Sequence, residues 1–141
     1  MIFGIGTDIA KVSRFEKWVR NPGIIRRFFN ECETVEIAAS GEEYERLLEK
    51  KLHFLCEHYA SRFAAKEAFS KALGTGFVGL ELSDFGIKKN ECGKPEFVFG
   101  EKTLSLIKEK CGNSCKIFVS ISHEKEYAIS YVIIETEAES V

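Results

Sequence analysis

The stretch Arg62-Phe-Ala-Ala-Lys-Glu-Ala-Phe-Ser-Lys-Ala-Leu-Gly-Thr-Gly76 decides how the rest of the chain is read. Successive side chains on an α-helix stand about 100° apart, so Ala64, Ala65, Ala68, Phe69 and Ala72 share one broad face. Arg62, Lys66, Glu67, Ser70 and Lys71 fan across the other side, with Phe63 among them. Glu67 and Lys71 are spaced i, i+4 with the acid N-terminal, the better orientation for a helical ion pair. Gly74 and Gly76 follow Leu73, and glycine suits a helix end that needs a left-handed residue. Taken alone, this is an amphipathic helix with a solvated salt bridge. The small residues Ala64, Ala68 and Ala72 would let it lie close to a sheet.

At 141 residues the chain is read as one domain over residues 1–141, long enough to bury a core without staples. No run is long and apolar enough to cross a bilayer, and no basic-then-apolar leader precedes the first strand. Five cysteines at irregular positions are not a disulfide framework, and Cys111 and Cys115 have no second pair or histidine beside them to suggest zinc. Reduced thiols and a cytoplasmic location are expected. A formal net charge of −2 argues against a general nucleic-acid or membrane-surface binder. Charge is uneven, however: Lys11, Arg14, Lys17, Arg20, Arg26 and Arg27 crowd the first thirty residues. A local basic patch on a nearly neutral protein suits an anionic ligand or an acidic protein partner.

Residues 2–9 alternate, with Phe3, Ile5 and Ile9 on one side and Gly4, Gly6 and Asp8 on the other. They are expected to form a buried strand whose glycines leave room for another backbone or a ligand. Gly4-Ile-Gly6 lacks the third glycine and the following helix of a dinucleotide fingerprint. Ser13 to Glu16 has capping-box spacing and predicts a helix from Arg14, with Phe15, Trp18 and Val19 buried and Arg14, Lys17 and Arg20 outside. Asn30 with Glu33 marks another start. From Glu42 to Leu73 the pattern is helical without proline or glycine, so long that a kink or brief break is expected within residues 50–60. Strands around Phe85–Lys88 and Glu96–Phe99 flank a hairpin turn at Asn90–Gly93; a helix covers Glu101–Lys110; strands cover Lys116–Ser122 and Tyr127–Glu135. A frayed tail follows from Thr136. The order predicts an α+β domain with a mostly antiparallel sheet packed on helices. Strand faces that are apolar on both sides, as in Tyr127–Ile134, point to burial against a partner subunit.

Three polar features stand apart: Asp8 at the end of the glycine-faced strand, Glu67 mid-helix among Arg62, Lys66 and Lys71, and His123 closing Ser120-Ile-Ser-His123. Two hard oxygen ligands from separate elements suit magnesium, which keeps several waters and shares its site with substrate phosphates. Neighbouring lysines and an arginine would neutralise phosphate oxygens. Read from the residues alone, a single Asp after a strand is more often a turn residue, and a His at a strand end is more often a structural or surface group than a catalyst.

Gly4-Ile-Gly-Thr-Asp-Ile9, the block Phe63 to Gly76, Gly93-Lys-Pro95 and Ser120-Ile-Ser-His123 occur in that order. The series resembles the holo-[acyl-carrier-protein] synthase family, the AcpS-type 4'-phosphopantetheinyl transferases, over nearly the whole chain. The resemblance implies the phosphopantetheinyl transferase fold, assembled as a trimer with sites at subunit interfaces. It also implies magnesium-dependent transfer of 4'-phosphopantetheine from coenzyme A to a serine of apo acyl carrier protein, releasing adenosine 3',5'-bisphosphate, in the service of fatty acid synthesis. Asp8 and Glu67 then correspond to the magnesium ligands, and Lys71 to the lysine that stabilises phosphate charge. Gly74 would admit the nucleotide, and Arg62, Lys94, Pro95 and His123 would contact the coenzyme. Arg14 and Arg20, with Arg26 or Arg27 beside them, would dock the acidic carrier protein. Two other classes compete: a non-catalytic coenzyme A or carrier-protein-binding module on the same scaffold, and an unrelated magnesium phosphohydrolase. Residues 30–58 carry no motif of the family.

Overall fold

A computed structural model describes residues 1–137. β1 (Ile2–Lys11) runs antiparallel to β5 (Tyr127–Thr136), which pairs in turn with β4 (Cys115–His123), giving a three-stranded sheet in the order β1-β5-β4. The register sets Gly6 opposite Val132, Asp8 opposite Ser130, and His123 opposite Ala128. A separate antiparallel hairpin, β2 (Phe85–Lys89) with β3 (Pro95–Phe99), lies beside it and leads into α4 (Glu101–Cys111). Pro95 is the first residue of its strand, where its missing N–H does least harm. α1 (Glu16–Val19) and α2 (Pro22–Phe28) are short.

α3 (Gly41–Leu73) crosses the whole molecule without an interruption in its helical assignment. The expected break in residues 50–60 does not occur. Tyr44, Leu48, Leu52, Leu55, Tyr59 and Phe63 recur every three or four residues and pack in one cluster with Phe15, Val19, Ile25 and Phe29. A stripe that holds phase for six successive contacts gives the helix no reason to bend away. Beyond Ala64 the same helix enters a second cluster with Phe69, Phe85, Ile87, Val132 and Ile134. It ends on Gly74 in the left-handed region (φ 86°), as the sequence implied.

Gly4 and Gly6 are the reason α3 can lie where it does. A Cβ on Gly4 would stand 1.9 Å from the Ala72 carbonyl oxygen, and one on Gly6 would stand 1.9 Å from that of Ala68. The space these glycines leave is thus taken by helix backbone. The opposite face of β1 is not buried within this chain: Ile5 and Ile9 are more than 60% exposed (63% and 61%), and Phe3, Tyr131 and Phe118 are exposed as well.

The polar side of residues 62–76 is only in part the solvated band that the pattern suggests: Lys71 is exposed, but Lys66 and Ser70 are buried. Lys66 is fully buried and meets the equally buried Glu33 at 2.7 Å. Its ammonium also donates to the carbonyls of Leu82 (2.7 Å) and Phe85, so all three of its donors are used. Glu33 accepts in addition from the backbone N–H groups of Asn30 (2.9 Å) and Ile87 (3.1 Å). Gly86 leaves the room, since a Cβ there would fall within 3 Å of Asn30 and of Glu33. The pair pins α3, the Glu31–Glu33 turn and β2 together, and it removes Lys66 from any role as a phosphate-neutralising lysine. Asn30 and Glu33 form the predicted capping box, though it caps a single 3₁₀ turn. Ser13 caps nothing; a 3₁₀ turn over Val12–Phe15 precedes α1 instead. Thr136 belongs to β5, and its carbonyl accepts from the N-terminus of Met1 at 2.6 Å; the rest of the expected tail, residues 138–141, lies outside the described residues.

Candidate active site

β1 carries Asp8 on the face that its glycines press against α3, and Glu67 projects from that helix one residue before Ala68. The two carboxyl groups are close neighbours. Partial burial and the neighbouring Asp8 carboxylate push Glu67 up to about 7, while Arg14 and Lys71 pull the other way. Two acids this close repel when both are ionised, and a proton or a cation held between them relieves the repulsion. Hard oxygen donors from two rigid elements fit a magnesium ion that draws its remaining ligands from water and phosphate. Among the described residues no group of three or more His, Cys, Asp or Glu side chains is arranged to hold a metal.

Lys71 completes the cluster, though without the helical ion pair to Glu67 that its spacing suggests. Its ammonium donates to the Thr7 carbonyl (3.0 Å) and to Asp8 Oδ1 (3.3 Å), and more than half of the side chain stays exposed. An ammonium anchored by two oxygens on a side chain that is still more than half exposed can also meet an anionic ligand. Arg14 lies over the rings of Phe15, Trp18 and Phe63 at 5.3, 5.7 and 5.3 Å, which holds its guanidinium at the margin of the acid pair. Gly74 begins a run of turns in which Gly76 and Gly79 also have positive φ.

The remaining sequence-predicted residues are divided by α3. Arg62 and Glu67 are five residues apart, about 140° around the helix. Arg62 lines a cavity of about 280 Å³ with His123, Lys89, Glu57, His58 and Phe54, at the β4 edge of the sheet. Asp8 belongs to the opposite edge strand. Lys94 and Pro95 line a different groove, about 420 Å³, between β3 and β4. One chain therefore gathers Asp8, Glu67 and Lys71 and does not bring Arg62, Lys94, Pro95 or His123 to them. Of the basic residues near the N-terminus, Arg20 is paired with Glu49 at 2.5 Å, and Arg26 is exposed.

Two features of the His123 cavity carried no usable signal in the sequence. Glu57 touches both His53 and His123; the i, i+4 spacing of His53 and Glu57 was visible, the arrival of His123 from a distant strand was not. His58 accepts burial by staying neutral: desolvation and the nearby Arg62 bring it down to about 4, and its Nε2 donates to the Glu33 carbonyl at 2.6 Å.

The sequence pattern of the 4'-phosphopantetheinyl transferase superfamily matches residues 4–132. A holo-[acyl-carrier-protein] synthase of Treponema denticola is 43% identical over 135 residues, covering 96% of this chain and 99% of its own. Among solved structures, the holo-(acyl-carrier-protein) synthase of Bacillus anthracis in complex with CoA (3',5'-ADP) superposes with a TM-score of 0.69 at 32% identity, over 97% of this chain and 99% of that one. The holo-[acyl-carrier-protein] synthase of Neisseria meningitidis gives 0.73 at 31% identity, over 96% and 100%. With the acid pair, its lysine and the α+β scaffold in place, the chain belongs to the 4'-phosphopantetheinyl transferase superfamily, among the enzymes of the holo-[acyl-carrier-protein] synthase type.

Proposed function

We propose that this enzyme transfers 4'-phosphopantetheine from coenzyme A to a serine hydroxyl of an apo acyl carrier protein. The serine oxygen bonds to the phosphorus that bears the pantetheine arm. The bond from that phosphorus to the bridging diphosphate oxygen breaks, and adenosine 3',5'-bisphosphate leaves with that oxygen. The observation that carries this reading is the Asp8–Glu67 carboxyl pair held by a glycine-seated helix, with Lys71 beside it.

Asp8 and Glu67 would hold a magnesium ion, which when bound neutralises the diphosphate and lowers the charge that builds up in the transition state. Lys71 meets the same developing charge from its tether on Thr7 and Asp8. Glu67 is the protein group proposed to take the serine proton. Arg14, Lys17, Arg20 and Arg26 form the docking surface for the acidic carrier protein, steering it by charge.

The coenzyme contacts Arg62, Lys94, Pro95 and His123 are assigned to a site completed between subunits of a homotrimer. The exposed apolar side of the sheet, with Phe3, Ile5, Ile9, Phe118 and Tyr131, supports such an assembly. No helix of the described residues is long and apolar enough to cross a membrane.

The deciding experiment is mass spectrometry of a bacterial apo acyl carrier protein after incubation with coenzyme A, magnesium and the enzyme. A mass gain of one phosphopantetheine group is expected, with loss of that gain in Asp8→Ala and Glu67→Ala variants that keep the wild-type circular dichroism spectrum. Coenzyme A binding without labelling across several carrier proteins would establish a binding module instead.

A further inference from the structure

Besides His58, which burial keeps neutral, the cavity at the β4 edge holds three groups that can be cationic, Arg62, Lys89 and His123, and a single acid, Glu57. An unattended carboxylate in that position would swing onto Arg62 or Lys89 and cancel the attraction for an anion. It does not do so here. Glu57 Oε1 is in contact with His53 Nε2, one helical turn back on α3, and Glu57 Oε2 lies 3.2 Å from His123 Nδ1. Among the described residues neither Arg62 nor Lys89 makes an ion pair, and Arg62 donates only to Ser61 Oγ at 3.0 Å, its Nε buried without a partner.

A carboxylate accepts hydrogen bonds and donates none, so the His123 nitrogen that faces it must carry the hydrogen. Free imidazole prefers its proton on the other nitrogen, and the partner of one ring nitrogen decides what the second presents. We propose that Glu57, clamped by His53, is a positioning residue: it fixes His123 with hydrogen on Nδ1, aims Nε2 at the bound coenzyme, and is itself kept off Arg62 and Lys89. The ligand class rests on the coenzyme-binding role proposed for His123; the tautomer does not.

Two readouts separate these layers. In long-range ¹H–¹⁵N spectra of the intact protein, His123, assigned by its loss in His123→Ala, is expected as the Nδ1–H tautomer and is expected to change to Nε2–H or to a mixture in Glu57→Ala. An unchanged His123 pattern in Glu57→Ala overturns the proposal, whatever reaction the enzyme performs. Calorimetric titration with coenzyme A supplies the second readout, on variants shown by sedimentation to keep the wild-type assembly. Removing a negative charge from a cationic cavity would by itself tighten anion binding. Positioning predicts the opposite, a loss of about tenfold in Glu57→Ala, with the double variant Glu57→Ala/His123→Ala no weaker than His123→Ala alone. Tighter or equal binding by Glu57→Ala refutes the positioning role. Coenzyme A binding by the wild type without transfer to any carrier protein would dismiss the proposed reaction and leave this inference standing.

Discussion

Replacing Gly6 by alanine tests the contact on which the site depends. The new Cβ would stand 1.9 Å from the Ala68 carbonyl oxygen and 2.8 Å from the Ala72 nitrogen, and both are helix backbone that no rotamer change can move. To reach ordinary contact α3 would have to withdraw by on the order of 1.5 Å. A gap of even 0.5–1 Å forfeits a quarter to a half of each dispersion contact along Ala64, Ala68 and Ala72. Opposing this, alanine restricts the unfolded chain more than glycine does, a gain of about 0.4–1 kcal/mol. Overpacking of this kind costs about 1–3 kcal/mol and occasionally more, and rigid backbone on both sides places Gly6→Ala at the upper end, so the steric loss wins by about 2 kcal/mol. Urea denaturation should show a lower midpoint with an unchanged slope. Because Asp8 lies two residues further along β1, carrier-protein labelling should fall by more than tenfold at temperatures where the variant is still folded. A Gly6→Ala protein within about 0.5 kcal/mol of wild type and fully active would refute the claim that β1 and α3 touch backbone to backbone.

Four further outcomes are expected. Glu33→Ala or Lys66→Ala strands a buried charge and should lower stability by about 3–5 kcal/mol in denaturant titrations, whereas joint replacement by apolar residues of similar volume should recover most of the loss. His58 is held near 4 when folded against 6.5 in a model peptide, so its stabilising contribution is complete above pH 6.5 and drains away as pH falls toward 4; that is at most about 3 kcal/mol, and His58→Gln should flatten the melting temperature over this interval. Glu67 is shifted the other way, so its contribution is complete below 4.5 and lost as pH rises through about 7; with magnesium removed, Asp8→Asn should melt at a higher temperature than wild type at pH 8, and a lower melting temperature would count against repulsion within the pair. Ile5→Glu, on the exposed side of β1, should leave the secondary structure intact and abolish any oligomer seen for the wild type by light scattering.

Much of this was legible in the sequence because period and punctuation agree. The β1 alternation, the Gly74 stop, Pro95 at a strand start and the Asn90–Gly93 turn each have a local physical cause, and each occurs where expected. What misled was exposure. Lys66 and Ser70 lie on the polar side of an amphipathic pattern, yet they are 0% and 4% exposed, and the ammonium of Lys66 is taken up by Glu33 and by the carbonyls of Leu82 and Phe85, 16 and 19 residues further along the chain. Glu33 looked like a helix-capping residue and is one; its second employment as the counter-ion of Lys66 depends on Gly86, whose missing side chain is informative only once the neighbours are known. The length of α3 was overestimated as a problem because average helix lengths describe helices that cover one core, and this one serves two.

The acid pair brings these threads together. Its two carboxyl groups are set on elements that cannot yield: β1 is hydrogen-bonded to β5 along its length, and α3 is pinned by Lys66 one residue before Glu67. On loops, two like charges would drift apart. Here the strand glycines and the helix alanines bring them together, and the cost appears as the raised proton affinity of Glu67. In the proposed reaction a cation held between the acids would relieve that repulsion and take phosphate oxygens to complete its shell. The same rigidity explains why Lys71 turns to Asp8 and leaves Glu67 alone. Its ammonium, held by the Thr7 carbonyl and Asp8, stays beside the acids, where in the proposed reaction it would add positive charge at the diphosphate.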